Sequence, residues 1–214
     1  MGQKREVPKP LQQLLAWDVE VTNAFVKFVE TKCGPMTNYK GYLKGLEYSC
    51  HGIPWFLFTG AFIFYVASPS LLQLLVNIFI ALVLDVVVVA VVKAVSRRRR
   101  PQGNNTKDMF PTISVDKFSF PSGHATRAVL LTSILCLQYN LWLPMSVLVS
   151  AWGGAVCVSR VLLRRHHLLD VLGGVVFGVL EARVMSWLWL SQHAAQYVVG
   201  CFLDETQAGA SYDV

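Results

Sequence analysis

The sequence is poor in charge. Asp, Glu, Lys and Arg make up 15% of its 214 residues, against roughly 25% in an ordinary soluble domain. The shortage is uneven: long stretches carry almost no charge, while 54% of the chain is hydrophobic. This excludes a pair of soluble domains and points to one compact unit built for a bilayer. Cysteine is sparse and irregular, at Cys33, Cys50, Cys136, Cys157 and Cys201. The odd count and uneven spacing exclude a disulfide framework and the paired spacing of a zinc site. The sequence also lacks the carboxylate cluster that a two-metal hydrolase needs, and it has no internal repeat.

The charge that is present is basic, at net +6, and it is clustered beside apolar runs of membrane length. Such clusters suit anionic lipid or a phosphate-bearing substrate; their position argues against nucleic acid as a partner. Residues 1–10 read as a mobile basic arm. From Leu11 to Glu30 the pattern is helical, with Leu11, Leu14, Leu15, Val21, Phe25, Phe28 and Val29 on one stripe. Asp18, Glu20, Lys27 and Glu30 stop this segment from spanning, so it fits an amphipathic helix on the membrane surface. A helix packed on the rest of the protein is the other reading. Five apolar segments follow, at about His51–Ala67, Leu71–Val92, Gly123–Tyr139, Met145–Leu163 and Leu168–Leu190. Each approaches the roughly 17 to 20 residues that cross a bilayer as a helix. The predicted fold is therefore all-α: a polytopic transmembrane helical bundle of about five spans with an N-terminal amphipathic interfacial helix. The expected organisation is an arm at 1–10, a helix at 11–31, a membrane-embedded domain at 47–193 and a polar tail at 194–214 whose composition reads as disordered.

Three motifs lie at the ends of these segments. Lys93 is followed after six residues by Arg100 and Pro101. Pro121, Ser122, Gly123 and His124 stand at the mouth of the third segment. Ser159 and Arg160 are followed after five residues by His166, and after three more by Asp170. Together, in this order, they resemble the signature of the type 2 phosphatidic acid phosphatase superfamily, which includes the lipid phosphate phosphatases. Each motif alone is weak; the set is specific.

The chemistry of phosphoryl transfer suits these residue types. Charge spreads over the equatorial oxygens, so catalysis needs fixed positive donors, a nucleophile and an acid for the leaving group. Lys93, Arg100 and Arg160 supply cations. Ser122 offers a hydroxyl, and Gly123 a backbone N–H unobstructed by a side chain; a helix starting there adds its dipole. His166 and Asp170, four apart, would share a helix face, with Asp170 orienting the ring. His124, in a separate motif, would protonate the leaving oxygen and later activate water. His167 could also reach Asp170; the family spacing selects His166, which leaves His167 as a surface or interface histidine. Arg97, Arg98 and Arg99 read as a lipid-facing basic patch. Asp85, inside the second segment, pairs with a cation or stays neutral and hydrogen-bonded. The resemblance implies a phosphohistidine intermediate on His166, with no metal and no cofactor.

A longer stretch, from Leu84-Asp85 through Pro101, Asp108-Met-Phe and Ser114 to Arg127, resembles the polyisoprenoid diphosphate phosphatase group. This implies presqualene, farnesyl or geranylgeranyl diphosphate as substrate, and residence in the endoplasmic reticulum and nuclear envelope. A phosphatidic-acid-type substrate remains the alternative, and so does a non-catalytic nuclear-envelope scaffold, against which the intact motifs argue. The expected partners are a lipid phosphate substrate and the bilayer. Lys and Arg gather on the side holding Lys93 and His166, so the positive-inside rule puts the active site toward the cytosol or nucleoplasm.

Overall fold

The computed structural model describes residues 8–102 and 117–210, with side chains as far as Phe202. The expectations for most of the basic arm, for most of the polar loop and for the last residues of the tail lie outside the described residues. Every regular element described is helical, in keeping with the all-α expectation. In chain order they are α1 (Lys9–Cys33), α2 (Lys40–Ser49), α3 (Gly52–Ile63), α4 (Pro69–Ser96), α5 (Gly123–Ser133), α6 (Leu143–Leu162), α7 (Leu168–Leu188) and α8 (Gln192–Ala210). A short 3-10 turn, Met36–Tyr39, precedes α2, and a π-helical turn, Ile134–Gln138, extends α5.

Local chemistry sets several of the boundaries. Proline occupies the first turn of α1, α4 and α6, where its missing N–H has no helical partner to lose. The His51 ring accepts from the Ile53 N–H to cap α3, and the Ser122 hydroxyl accepts from the Ala125 N–H to cap α5, supplying acceptors for otherwise orphaned donors.

The bundle is apolar outside and partly polar inside. Val83, Val87, Val91 and Val95 form an exposed valine stripe on α4, while Asn77, Asp85 and Lys93 of the same helix are buried. This inversion suits a surface that meets lipid. The central core joins Leu74, Ile78, Ala81 and Leu82 of α4 to Leu130 and Leu131 of α5 and Met185 of α7. Asn77 ties the far end together: its side chain accepts from the Leu190 N–H at 2.9 Å and donates to the Leu190 carbonyl at 3.1 Å. The Asp85 carboxylate receives the Arg127 guanidinium of α5, so its cation is one that the motif reading left out.

Helices α5 and α7 touch through glycine. A Cβ on Gly174 would lie 2.8 Å from the Ser122 carbonyl oxygen, and one on Gly178 would lie 2.5 Å from that of Thr126. This is the close backbone approach that small residues four apart permit between membrane helices. Gly178→Leu is expected to force the pair apart and cost about 1–3 kcal/mol, seen as a lower unfolding temperature in detergent. An unchanged transition would mean that the helix pair has slack.

Among the described residues, two helices, α4 and α6, are long and apolar enough to cross a membrane. The first expected span is shorter than the sequence suggests: α3 has 12 residues, about 18 Å at the helical rise, against roughly 30 Å of hydrocarbon. It ends in a turn at Phe64 and Tyr65 rather than at Ala67. The tail reading also needs correction. It is helical as α8, because Ala195 and Val199, four apart, bury themselves against Val76 of α4.

The N-terminal segment is a helix, and the face it buries against the bundle is not its apolar stripe. Asp18, Thr22 and Val26 are buried, while Leu11, Leu14, Trp17 and Phe28 are exposed. Val26 packs with Ala125, Val161 and Val171. Helix α1 is therefore docked on the bundle by a partly polar face, since Asp18 and Thr22 find hydrogen-bond partners there.

Candidate active site

The three motifs converge at one end of the bundle. Lys93 lies in the last turn of α4, Ser122 caps α5, Gly123 begins it, and Arg160 lies in the last turn of α6. His166 sits in the link between α6 and α7. That link is shaped by Arg164, in the left-handed region at φ 53°, with the Arg165 and His166 N–H groups both donating to the Arg160 carbonyl at 3.0 and 3.2 Å. The α6 carbonyls thereby gain donors as the helix stops. The Ser122 N–H donates to the Asp170 carbonyl at 3.0 Å, joining two motifs through the backbone.

His166 is 1% exposed. Its pKa is held well below the ordinary value of 6.5, by burial first and then by the positive charges of Arg100, Arg160 and Lys93, with His124 also acting on it. These are the groups that the motifs nominate, gathered around one ring. Nδ1 of His166 lies 2.8 Å from the Ser119 carbonyl oxygen. A carbonyl only accepts, so Nδ1 carries the proton, and Nε2 of the neutral ring keeps its lone pair.

The expected orienting role of Asp170 is not what the geometry gives. Its Oδ2 lies 3.9 Å from His166 Nδ1, beyond hydrogen-bonding range. The reason is local. Helix α7 begins only at Leu168, with His167 as its N-cap, so His166 and Asp170 do not share a helix face. Asp170 instead accepts from the His167 N–H at 2.8 Å, approaches the His167 ring at 3.2 Å, and receives Arg98 Nη1 at 2.8 Å and the Ser119 hydroxyl. Asp170 thus holds Ser119, and Ser119 orients His166. His167 is buried at the N-cap of α7 rather than being a surface histidine.

Arg98 also departs from expectation. Beyond the end of α4, Arg97 and Arg99 are exposed, while Arg98 and Arg100 turn inward. Arg98 is therefore structural to the site and not a lipid-facing residue like its neighbours. Arg100 Nη1 reaches the Arg165 carbonyl at 3.5 Å. Arg160 Nη2 donates to Glu47 Oε1 at 3.1 Å, and Arg165 lies 3.6 Å from the same oxygen. Nε and Nη1 of Arg160, and Nε2 of His124, are buried without a hydrogen-bond partner among the described residues. Buried unpaired donors such as the two on Arg160 are costly, and a bound anion would satisfy them. Ser119, Arg98, Asp18 and Glu47 were missed by motif spacing. Only Arg98 left a trace in the sequence, as the residue two before Arg100 in a non-helical run.

The family model described as the PAP2 superfamily matches residues 70–194, a stretch holding all three motifs. The chain belongs to the PAP2 superfamily. It is a PAP2-type phosphatase, a hydrolase of phosphoric monoesters, and a membrane protein. It is similar to the probable lipid phosphate phosphatase beta of Arabidopsis thaliana, at 32% identity over 143 residues, which is 55% of this chain and 67% of that protein. The PAP2 fold is shared with the transmembrane PAP2-type phosphatidylglycerolphosphate phosphatase of Bacillus subtilis, at TM-score 0.60 and 22% identity over 82% of this chain and 86% of the other. It is also shared with LpxE of Aquifex aeolicus, at TM-score 0.55 and 18% identity over 76% and 92%.

Proposed function

We propose that this PAP2 phosphatase hydrolyses membrane lipid phosphates and diphosphates, polyisoprenoid diphosphates foremost, through a phosphohistidine on His166. The observation that carries the mechanism is the His166 ring itself: neutral, proton on Nδ1, and surrounded by cations. Nε2 attacks phosphorus in line, and the P–O bond to the leaving group breaks as His124, protonated in the complex with the anionic substrate, gives that oxygen a proton. His124 then takes a proton from water, which attacks the phosphohistidine. Inorganic phosphate leaves and His166 is regenerated. Arg160, Lys93 and Arg100 stabilise the charge on the transferring group, with Ser122 and the Gly123 N–H at the start of α5 as further donors. Asp170 acts through Ser119 to fix the ring. The isoprenoid preference rests on the resemblance of the Leu84–Arg127 stretch. The Arabidopsis relative's name, lipid phosphate phosphatase, supports a lipid substrate. The test is phosphate release by the purified protein from a panel of farnesyl diphosphate, geranylgeranyl diphosphate, presqualene diphosphate and phosphatidate. Faster turnover of phosphatidate than of every diphosphate would overturn the isoprenoid assignment.

Activity is expected to persist in excess EDTA, because side-chain cations stand where other phosphatases use a metal clamp. Loss on chelation and recovery with a divalent ion would overturn that expectation.

Sidedness follows from the five-span reading of the sequence. Lys40, Lys44, Lys93, Arg97 to Arg100, Lys107, Lys117, Arg164 and Arg165 fall on the active-site side; the turns at Ser68–Ser70 and Asn140–Pro144 and the segment after Leu190 carry no Lys or Arg. The active site faces the cytosol or nucleoplasm of the endoplasmic reticulum and nuclear envelope. With the plasma membrane selectively permeabilised, an epitope in the Gln102–Asp108 loop should be reached by antibody. Access to a tag at Val214 but not to the loop would reverse the assignment.

A further inference from the structure

We infer that Asp18, on the N-terminal helix α1, is a positioning residue for the phosphorylation step, acting through Arg98 and the start of α7. This rests on His166 being the nucleophile. Asp18 lies outside the matched residues 70–194, so the motifs say nothing of it. Yet it is 1% exposed, and a carboxylate buried so far needs partners. It has them on both sides. Oδ2 receives Nη2 of Arg98, whose Nη1 donates to Asp170 Oδ1 at 2.8 Å. Oδ1 accepts from the Leu169 N–H at 3.0 Å, in the first turn of α7.

The neighbours of Asp18 grip the same structure. Thr22, one turn on, accepts from the Leu168 N–H at 3.1 Å. Asn23 accepts from Arg164 Nη1 at 3.2 Å, the residue whose left-handed backbone shapes the link. Helix α1 therefore supplies two of the acceptors that the first turn of α7 needs, and it fixes the guanidinium that braces Asp170. Asp170 holds the Ser119 hydroxyl, and the Ser119 carbonyl holds the nucleophile's ring. The chain of contacts from Asp18 to His166 is continuous, and every link but the last is to a charged group or a helix-end N–H.

The test is rapid-quench trapping of phosphoenzyme on the full chain in detergent. The probe is radiolabelled farnesyl diphosphate or phosphatidate, whichever the wild type turns over faster. The rate constant reports positioning, while the amplitude reports the fraction of folded sites. Asp18→Asn keeps an acceptor for the Leu169 N–H and removes the charge that holds Arg98. Its rate constant should fall about tenfold, with the amplitude kept. Arg98→Gln should fall by a similar factor. The double variant should be no slower than the slower single, because both cut one path. Trp17→Ala, on the exposed face of α1, should match the wild type. A wild-type rate constant in Asp18→Asn, or a lower amplitude at an unchanged rate constant, would overturn the inference. So would factors that multiply in the double variant. If Asp18→Asn does not fold, Thr22→Val and Arg98→Gln carry the test, and wild-type rate constants in both would overturn it. His166→Ala separates this from the parent reading: turnover surviving in that variant refutes the nucleophile, whatever Asp18 does.

Discussion

Replacing His166 by alanine is expected to abolish phosphate release, by a factor on the order of 10⁴ or more, and to remove the trappable phosphoenzyme. The size follows from the role. Among the described residues, His166 alone is shown with Nδ1 against a backbone carbonyl oxygen amid the charges of Arg100, Arg160 and Lys93. His167, next in sequence, is committed to Asp170 at the N-cap of α7 and is not expected to substitute. The fold should tolerate the change, because His166 contributes one side-chain hydrogen bond, and the link is held by Asp170, Arg98 and the Arg160 carbonyl. Helical content and detergent-complex size should therefore match the wild type. The phosphoenzyme should be acid-labile and base-stable, as expected of a phosphoramidate. Wild-type turnover in a well-folded His166→Ala protein would refute the mechanism outright.

Spacing alone carried the motifs, because a phosphate needs cations, a nucleophile and an acid whatever surrounds them. It could not carry the geometry between the motifs. The His166–Asp170 pairing assumed one continuous helix, and the helix starts two residues too late for it. The group that actually orients His166 is a backbone carbonyl, which any residue at position 119 would possess. Asp18 and Glu47 were hidden for a different reason. In an amphipathic pattern an acidic residue reads as the wet face, and only the docked position of α1 and α2 shows that the partners are inward-facing arginines. The short α3 and the helical α8 were misjudged from composition. Hydropathy counts apolar residues and does not register where the backbone turns, or that Ala195 and Val199 find Val76.

Arg160→Lys is expected to lower kcat by a factor on the order of 10²–10³ although the charge is kept. Arg160 is 1% exposed, and its guanidinium is divided between two tasks. Nη2 is spent on Glu47, while Nε and Nη1 are buried without partners among the described residues. The unpaired Nε–H and Nη1–H groups lie on different edges of the planar guanidinium and remain available to phosphate oxygens, and such contacts strengthen as charge grows on those oxygens. A lysine ammonium can still neutralise Glu47, which also keeps Arg165 at 3.6 Å, so burial of that carboxylate does not become a folding defect. What lysine cannot do is hold Glu47 and keep further N–H groups on separate edges for phosphate from a single nitrogen. The deficit should fall mainly on kcat, since the lost contacts tighten in the transition state. KM should change less, because Lys93 and Arg100 still attract the anion. Steady-state kinetics on the folded variant decide the matter. A near-normal kcat would mean that Arg160 serves only as the counter-ion of Glu47, and that the phosphoryl group is gripped elsewhere.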